Sequence, residues 1–268
     1  MSITNNIKTA NQWLKENRKN HKPITLARVQ KRLTRASLLS IESDAKTTKG
    51  SKQGYLTGIL YFAPHKICGI NLCPMAKTCV KDCLFNAGRG RFTNVSEARI
   101  IKTLAFFYDR ERFTELLRKD IKALIHKAKR NNQKPVIRLN GTSDITIEKT
   151  FASLLAEFRN VQFYDYTKNP TRFKTSLPRN YDLTFSYDGT NMSDCLKLLK
   201  NGYRVAAVFK DYLPSEFMGF PVVNGDNSDL RFLDNTGVIV GLIAKGLAKK
   251  DTANQLFIIN PTKYRKVA

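Results

Sequence analysis

Acidic residues are scarce in this chain: 22 Asp and Glu stand against 46 Lys and Arg, a formal charge of +24 over 268 residues. A field of that size repels cationic partners and attracts polyanions. Long apolar runs are missing too. No segment approaches the ~20 residues that a membrane span needs. The opening Met1-Ser-Ile-Thr-Asn-Asn-Ile-Lys8 has neither the apolar core nor the cleavage pattern of a secretory signal. A cytoplasmic protein with no membrane partner is expected. Histidine is nearly absent, with three copies, none beyond His126, so no Ser–His–acid arrangement can be built in the second half. There is no GxGxxG turn and no P-loop, which removes the usual dinucleotide and nucleoside-triphosphate sites. Internal repeats and low-complexity tracts are also lacking. The apolar content of 42% is ordinary and gives a globular body rather than a disordered one.

Cysteine is sparse except in one place. Four of the five fall in a single stretch, Cys68-Gly-Ile-Asn-Leu-Cys73-Pro-Met-Ala-Lys-Thr-Cys79-Val-Lys-Asp-Cys83. In a reducing compartment such thiols stay unpaired, and stapling one loop would add little to a chain of this length. A metal centre is the stronger reading. The gaps contain no C-x2-C knuckle, the usual mark of structural zinc. Four thiolates from one compact loop suit a cubane, whose irons spread their sulfur ligands apart. The expectation is a [4Fe–4S] cluster on Cys68, Cys73, Cys79 and Cys83, with zinc as the alternative. Pro74 helps the loop turn, and Lys77, Lys81 and Arg89 offset the thiolate charge. His65 stands three residues before Cys68 and could reach the cluster, although an exposed loop histidine is the plainer reading. Cys195 lies on an amphipathic stretch and reads as a core residue.

Residues 1–54 read as a basic helical extension, with helices over 10–17 and 25–41 and a polar loop over 43–54. Arg28, Arg32 and Arg35 recur at helical spacing and would share one face. Together with Arg89 and Arg91 they predict a surface for DNA or RNA. Trp13 and Phe92 could stack on unpaired bases, with core packing the plainer role for Trp13. Residues 55–268 alternate strand and helix around a cysteine-rich loop at 65–92. Strands are expected near 56–62, 134–140, 161–167, 181–187, 204–209, 220–224, 238–243 and 256–260. Helices are expected from Asn94 with Glu97 closing a capping box, again after a break near 109–111, and over 147–158 and 192–200. The class is α/β with a mostly parallel sheet. The strand number favours a full or partial (β/α) barrel over an open doubly wound sheet.

Polar residues gather at the strand ends: Arg138, Asn140, Asp144, Asp165, Lys168, Asp188 and Lys210. In parallel α/β folds ligands bind at those ends. These residues are therefore candidates to converge on one cavity beside the cluster, as catalytic or ligand-binding groups. The competing reading is that Asp and Asn here cap helices and close turns. It explains Arg138 and Lys168 least well.

A strand entering a cysteine loop, then a helix and a parallel α/β series, resembles the radical SAM architecture. The local match is Cys79-Val-Lys-Asp-Cys83-Leu-Phe-Asn86 against that family's C-x3-C-x2-C. The resemblance implies a radical-SAM-like (β/α) barrel and a radical-SAM-like or redox enzyme. Asn86 stands where the third cysteine falls, a departure that weighs against SAM cleavage. The chain more closely resembles uncharacterised phage-encoded cysteine-loop proteins. It shares with them Cys73-Pro74, Cys79, Cys83, Ala87-Gly88 and Arg138-Leu-Asn-Gly-Thr-Ser-Asp144, over roughly residues 55–245. That resemblance implies a phage or mobile-element origin and a place in the host-cell cytoplasm, and carries no reaction with it.

Overall fold

The computed structural model of the chain describes residues 2–42, 45–250 and 256–264. The first part of the chain forms α1 (Ile3–Asn17), α2 (Leu26–Arg32), β1 (Leu39–Ile41), α3 (Ala45–Ser51) and β2 (Tyr55–Leu60). After the cysteine loop come α4 (Thr93–Tyr108), α5 (Arg110–Arg130), β3 (Lys134–Arg138), α6 (Ile147–Thr150) and α7 (Ala152–Glu157). Then follow β4 (Gln162–Thr167), β5 (Tyr181–Ser186), α8 (Met192–Lys200), β6 (Val205–Phe209), β7 (Glu216–Phe217) and β8 (Phe220–Asn224). β9 (Ile239–Ile243), α9 (Leu247–Lys250) and β10 (Ile258–Ile259) close the described chain. Among the described residues no helix is long and apolar enough to cross a membrane.

The strands form one mostly parallel sheet of ten, in the order β1-β2-β3-β4-β5-β6-β9-β8-β7, with β10 against β6. Only the outer pairs, β1 with β2 and β7 with β8, are antiparallel. The barrel expectation is met only at this level. Among the described residues β1 and β7 end the series, and no ladder joins them into a closed ring. The segment after β8 instead turns back across the sheet. Ser228 donates to Gln53 Oε1 at 2.7 Å, and Phe232 packs on Tyr55 and Tyr164 with ring centroids 5.6 and 5.7 Å apart.

Alternation along the strands sorts the side chains into two layers. Ile137 and Leu139 join the large core that also holds Leu104, Phe106 and Leu117 of α4 and α5, whereas Arg138 and Asn140 face a cavity. On β6, Val205, Ala207 and Phe209 pack with Cys195 and Leu199 of α8, while Ala206 and Val208 line that cavity. Burying one apolar side chain of this kind contributes about 1.5–3 kcal/mol, so the helix-side layer holds the strands in place and leaves their other face open to polar residues.

Several boundaries differ from the sequence expectation. The helix expected over 25–41 stops at Arg32, and Leu39–Ile41 is a strand. The cause is Asp120 on α5, whose carboxylate accepts the backbone N–H of both Leu38 and Leu39 and holds the chain extended. The first helix begins earlier, at Ile3, where the Ser2 hydroxyl accepts the Asn5 N–H. Residues 45–51, expected as loop, are helical. Glu97 makes no capping box: it accepts the Lys22 N–H at 2.7 Å and pairs with Arg28 at 2.6 Å. The break at Asp109 is real, and its carboxylate caps α5 through Arg112 N at 2.9 Å. The helix expected over 147–158 is two short ones parted at Phe151. The basic first 54 residues pack on the rest: β1 pairs with β2, and Arg18 donates to Ser96 Oγ and Asn86 Oδ1, each at 2.8 Å.

Candidate functional site

The cysteine loop leaves the carboxyl end of β2 and is stitched to the loop that leaves β3. Gly141 N donates to Leu60 O at 3.0 Å, Thr142 Oγ1 to Phe62 O at 2.5 Å and Asp144 N to Leu72 O at 2.8 Å. Gly141 is required for this approach, because a Cβ there would stand 2.5 Å from the Tyr61 ring. Between the two loops, at the carboxyl ends of β3, β4 and β6, opens a cavity of about 1000 Å³. That is large enough for a nucleotide-sized ligand.

Three of the four clustered cysteines, Cys73, Cys79 and Cys83, line this cavity. Cys68 does not: it is 1% exposed and belongs to the apolar core. All five cysteines are free thiols. Among the described residues, no group of three or more His, Cys, Asp and Glu side chains is gathered so as to hold one metal ion. His65 takes a left-handed conformation with φ of 49° and aims its N–H at Cys73 Sγ, 3.3 Å away. Histidine tolerates that region better than most side chains. Burial pushes the Cys73 thiol up to about 12 and raises Cys68 and Cys83 as well. A bound metal would reverse that preference.

Lys168 follows β4 and lines the same cavity. Its backbone N–H donates to Asp144 Oδ2 at 2.8 Å, which fixes the main chain at that point. Burial works against its charge, but Cys79, Asp144, Cys73 and Asp188 outweigh that and leave its pKa raised. Cys73 and Cys83 are held down in turn by Lys168, and Cys83 also by Arg99. Lys168 thus lines the cavity together with Cys73, Cys79 and Cys83 and lies near enough for charge on either side to be felt by the other.

Arg138 forms the inner wall. Its Nη1 donates to Asp229 Oδ2 at 3.0 Å and its guanidinium lies over the Tyr166 ring, 4.6 Å from the centroid. Tyr164 and Tyr166 both donate to Asp229 at 3.2 Å. Burial opposes the Arg138 charge, but Asp229 and the two tyrosines outweigh it and keep the arginine charged.

Of the seven strand-end candidates, Arg138, Asn140, Asp144 and Lys168 line the cavity. Asn140 serves its own loop there, accepting from Ser143 Oγ and Ile145 N and donating to Ile145 O. Asp144 is shared between Lys168 N and Arg172 Nη1. Asp165, Asp188 and Lys210 are not among the residues that line the cavity, although Asp188 lies close enough to act on Lys168. Asp165 lies on the helix side of β4 with Phe163. It is 1% exposed, accepts from Asn140 N and Tyr181, and is pushed by burial up to about 7. Asp188 folds onto its own turn, accepting Thr190 N and Oγ1 at 2.8 Å, as the capping reading had it. Lys210 stands past the end of β6, where its N–H bonds Ile259 O of β10.

The basic residues also divide. Arg28 is tied to Glu97 and to the carbonyls of Lys22 and Pro23, and Arg32 closes its own helix end on Arg35 O and Ser37 Oγ. Arg35 lies beyond α2, so the three do not form one helical face. Arg89 and Arg91 are exposed on the short turn Gly88–Arg91 before α4. Sequence reasoning missed Asp229, and it missed that α1 brings Trp13 to the cavity, where the ring packs on Phe85 at 5.5 Å. The only signal for Asp229 was its place in a polar run after β8.

No curated protein and no solved structure matches the chain. What it does match, over residues 33–260, is the family described as Gene product 88. A gene-product family of this phage type agrees with the phage resemblance carried by the cysteine loop and the Arg138–Asp144 stretch, and it is not a radical SAM family. With the match running through the cysteine loop and every parallel strand of the sheet, the chain belongs to the gene product 88 family.

Proposed function

We propose that the chain is an iron–sulfur protein of phage or mobile-element origin, acting in the host-cell cytoplasm, with a [4Fe–4S] cluster on Cys73, Cys79 and Cys83 at the mouth of a ligand cavity. The scaffold in this reading is a radical-SAM-like partial barrel. One observation carries the proposal: three thiols of one loop and Lys168 line the same cavity at the carboxyl ends of parallel strands. Each thiolate of a cubane takes a different iron. Sulfurs spread around a cavity suit that better than the single point on which zinc ligands converge. Cys68, the fourth ligand expected from the sequence, has its side chain in the core and is left out of the set.

A cluster held there would supply electron transfer and, with three protein thiolates, one iron open to a ligand from the cavity. The chain's own residues do the rest. His65 N–H steadies Cys73. Lys168 offsets the charge of the thiolates, and Asp144 fixes the main chain at Lys168. Arg138, fixed by Asp229, presents a permanent positive charge to whatever enters. A second reading, a nucleic-acid-binding protein with a structural metal, is favoured by the excess of charge alone, +24.

Anaerobic purification tests the proposal. A brown protein with about four irons and four sulfides per chain is expected. Colourless protein carrying one zinc and no sulfide overturns it.

A further inference from the structure

The lining of the cavity is divided. At the carboxyl ends of β3 and β4 it carries Arg138, Asn140, Tyr166 and Lys168. The Arg138 guanidinium lies over the Tyr166 ring, 4.6 Å from its centroid, and Lys168 follows Tyr166 by two residues, so the two cations share one end of the site. On β6 and β9 the lining is apolar, with Ala206, Val208 and Leu242, the last two opposite each other in the ladder. Two strand spacings, about 10 Å, separate β4 from β6. The fold leaves both cations with donors to spare. The buried Arg138 makes one hydrogen bond, from Nη1 to Asp229, and its Nε makes none, with Asp165 3.9 Å away. Among the described residues Lys168 bonds only through its backbone N–H, and its ammonium has no hydrogen-bond or ion-pair partner. No acid of the lining is left over for it. Asp144 serves Lys168 N and Arg172, Asp226 serves Lys245 and Ile243 N, Asp229 serves Arg138 and two tyrosines, and Glu16 and Asp82 have partners of their own.

We propose that the cavity binds an amphiphilic organic anion, its carboxylate or phosphate on Lys168 and Arg138 and its apolar body along β6 and β9. Holding an ammonium and a guanidinium away from water with unused donors costs free energy, which an anion offsets through charge-assisted hydrogen bonds. A free inorganic anion would fill the charged end alone and leave the apolar strands in water. A few polar groups at one end of a largely apolar recess are the usual make-up of a small-molecule site. The other lysines of the lining do not compete for the charged group: Lys8 and Lys66 lie exposed, and Lys49 and Lys245 are tied to Asp226. The inference rests on the preceding reading only for the cavity being the working site, and it does not require the cluster.

The full chain, as purified anaerobically, is titrated with octanoate, with octyl phosphate and with the uncharged octanamide. Trp13, the only tryptophan of the chain, lines the cavity and reports occupancy through its fluorescence, with calorimetry as a second reading. Octanoate should bind at least about tenfold more tightly than octanamide. The tighter of octanoate and octyl phosphate identifies the anionic group, and either result supports the proposal. Lys168→Met and Arg138→Gln should each lower the preference for the charged ligand at least about threefold. Arg138 has no cysteine among its charged neighbours, so the second variant removes a cation without touching the thiols. Leu242→Gln should weaken octanoate and octanamide alike, by about fivefold, and leave the preference intact. Lys129→Met makes the same charge change as Lys168→Met on an exposed residue of α5 and should alter neither. Iron content and circular dichroism are recorded for every variant. A preference lost in either cation variant with iron and fold unchanged supports the proposal, and so does a preference shown by a chain that proves to hold no iron, which would sink the cluster reading alone. No binding of either anion, equal binding of octanoate and octanamide, a preference that survives in both cation variants, or an equal loss in Lys129→Met overturns it and leaves the cluster reading standing.

Discussion

Removing the Asp229 carboxylate should be among the most damaging single changes on the inner wall. Asp229 accepts from Arg138 at 3.0 Å and from Tyr164 and Tyr166 at 3.2 Å, and both charged partners are nearly out of solvent, 7% exposed for the aspartate and 6% for the arginine. In Asp229→Ala, Asp165, 3.9 Å from Nε, is the one carboxylate among the described residues still paired with the guanidinium. Breaking a buried ion pair from one side costs about 3–5 kcal/mol, because the remaining charge is left desolvated. The two tyrosine hydroxyls lose their acceptor as well, which adds about 1–3 kcal/mol for each that stays buried. Arg138 and Tyr166 border the cavity and can partly rehydrate, so the lower part of the pair range applies with one hydroxyl, that of Tyr164, left buried, and about 4–5 kcal/mol is expected. For a chain of this size that is a fall of roughly 10 °C in Tm. Asp229→Asn keeps an acceptor and should lose about half as much, and Tyr166→Phe, which removes one hydroxyl donor, about 1 kcal/mol. Guanidinium unfolding of the four proteins, with Tm as a second reading, measures the series. A loss below about 1 kcal/mol in Asp229→Ala, or a larger loss in Tyr166→Phe, would show that Arg138 is not held by this carboxylate.

Substituting Cys73, Cys79 or Cys83 by Ala should abolish iron and sulfide incorporation, whereas Cys68→Ala should keep both and lower stability by about 1–2 kcal/mol for the small cavity it leaves; iron loss in Cys68→Ala would restore the four-cysteine ligand set. Lys168→Met should lower the reduction potential of the proposed cluster, since a cation near the thiolates favours the more negative reduced state. An unmoved midpoint in a redox titration would remove Lys168 from that role. Lys102, buried on α4 with its ammonium on Leu38 O at 3.1 Å, is pushed down by burial to about 7 from 10.5. Its folded pKa lies below its unfolded one, so between about 7 and 10.5 the unfolded chain binds more protons and this residue makes stability rise with pH. Below that window the full cost of charging it in the fold remains. Denaturant midpoints at three pH values across the window should climb in the wild type and flatten in Lys102→Met, and equal slopes would refute the assignment.

Local pattern carried most of the fold. The parallel strands β2 to β6 fall where apolar runs end in polar residues, and Asp109 splits α4 from α5 through its own carboxylate. The failures have a common cause in groups distant along the chain. Asp120 captures the Leu38 and Leu39 N–H groups across some eighty residues and turns an amphipathic helical pattern into a strand. Glu97, well placed for a capping box, is taken by Arg28 of α2 and by the Lys22 N–H of the segment that precedes α2. A helix-face argument on the basic residues fails in consequence, because the helix that carried it ends before Arg35.

The site shows the same division at the scale of single side chains. Period-two alternation puts Arg138 with Asn140 and Tyr164 with Tyr166, and both pairs lie on the inner side of the sheet. The same rule puts Asp165 on the opposite side with Phe163, so grouping it with the inner residues ignored a parity that the strand already carried. Cys68 was beyond any such rule. Spacing counts thiols along a loop, but it cannot tell which of them the loop turns inward. That choice is made by packing: Gly69 turns the chain at a φ of 72° beside Asn6 and Thr9 of α1, and Leu72 N bonds His65 O, closing the segment around Cys68. A helix outside the predicted core domain therefore helps decide which cysteines face the cavity. The loop alone, read without α1, does not show that Cys68 turns into the apolar core.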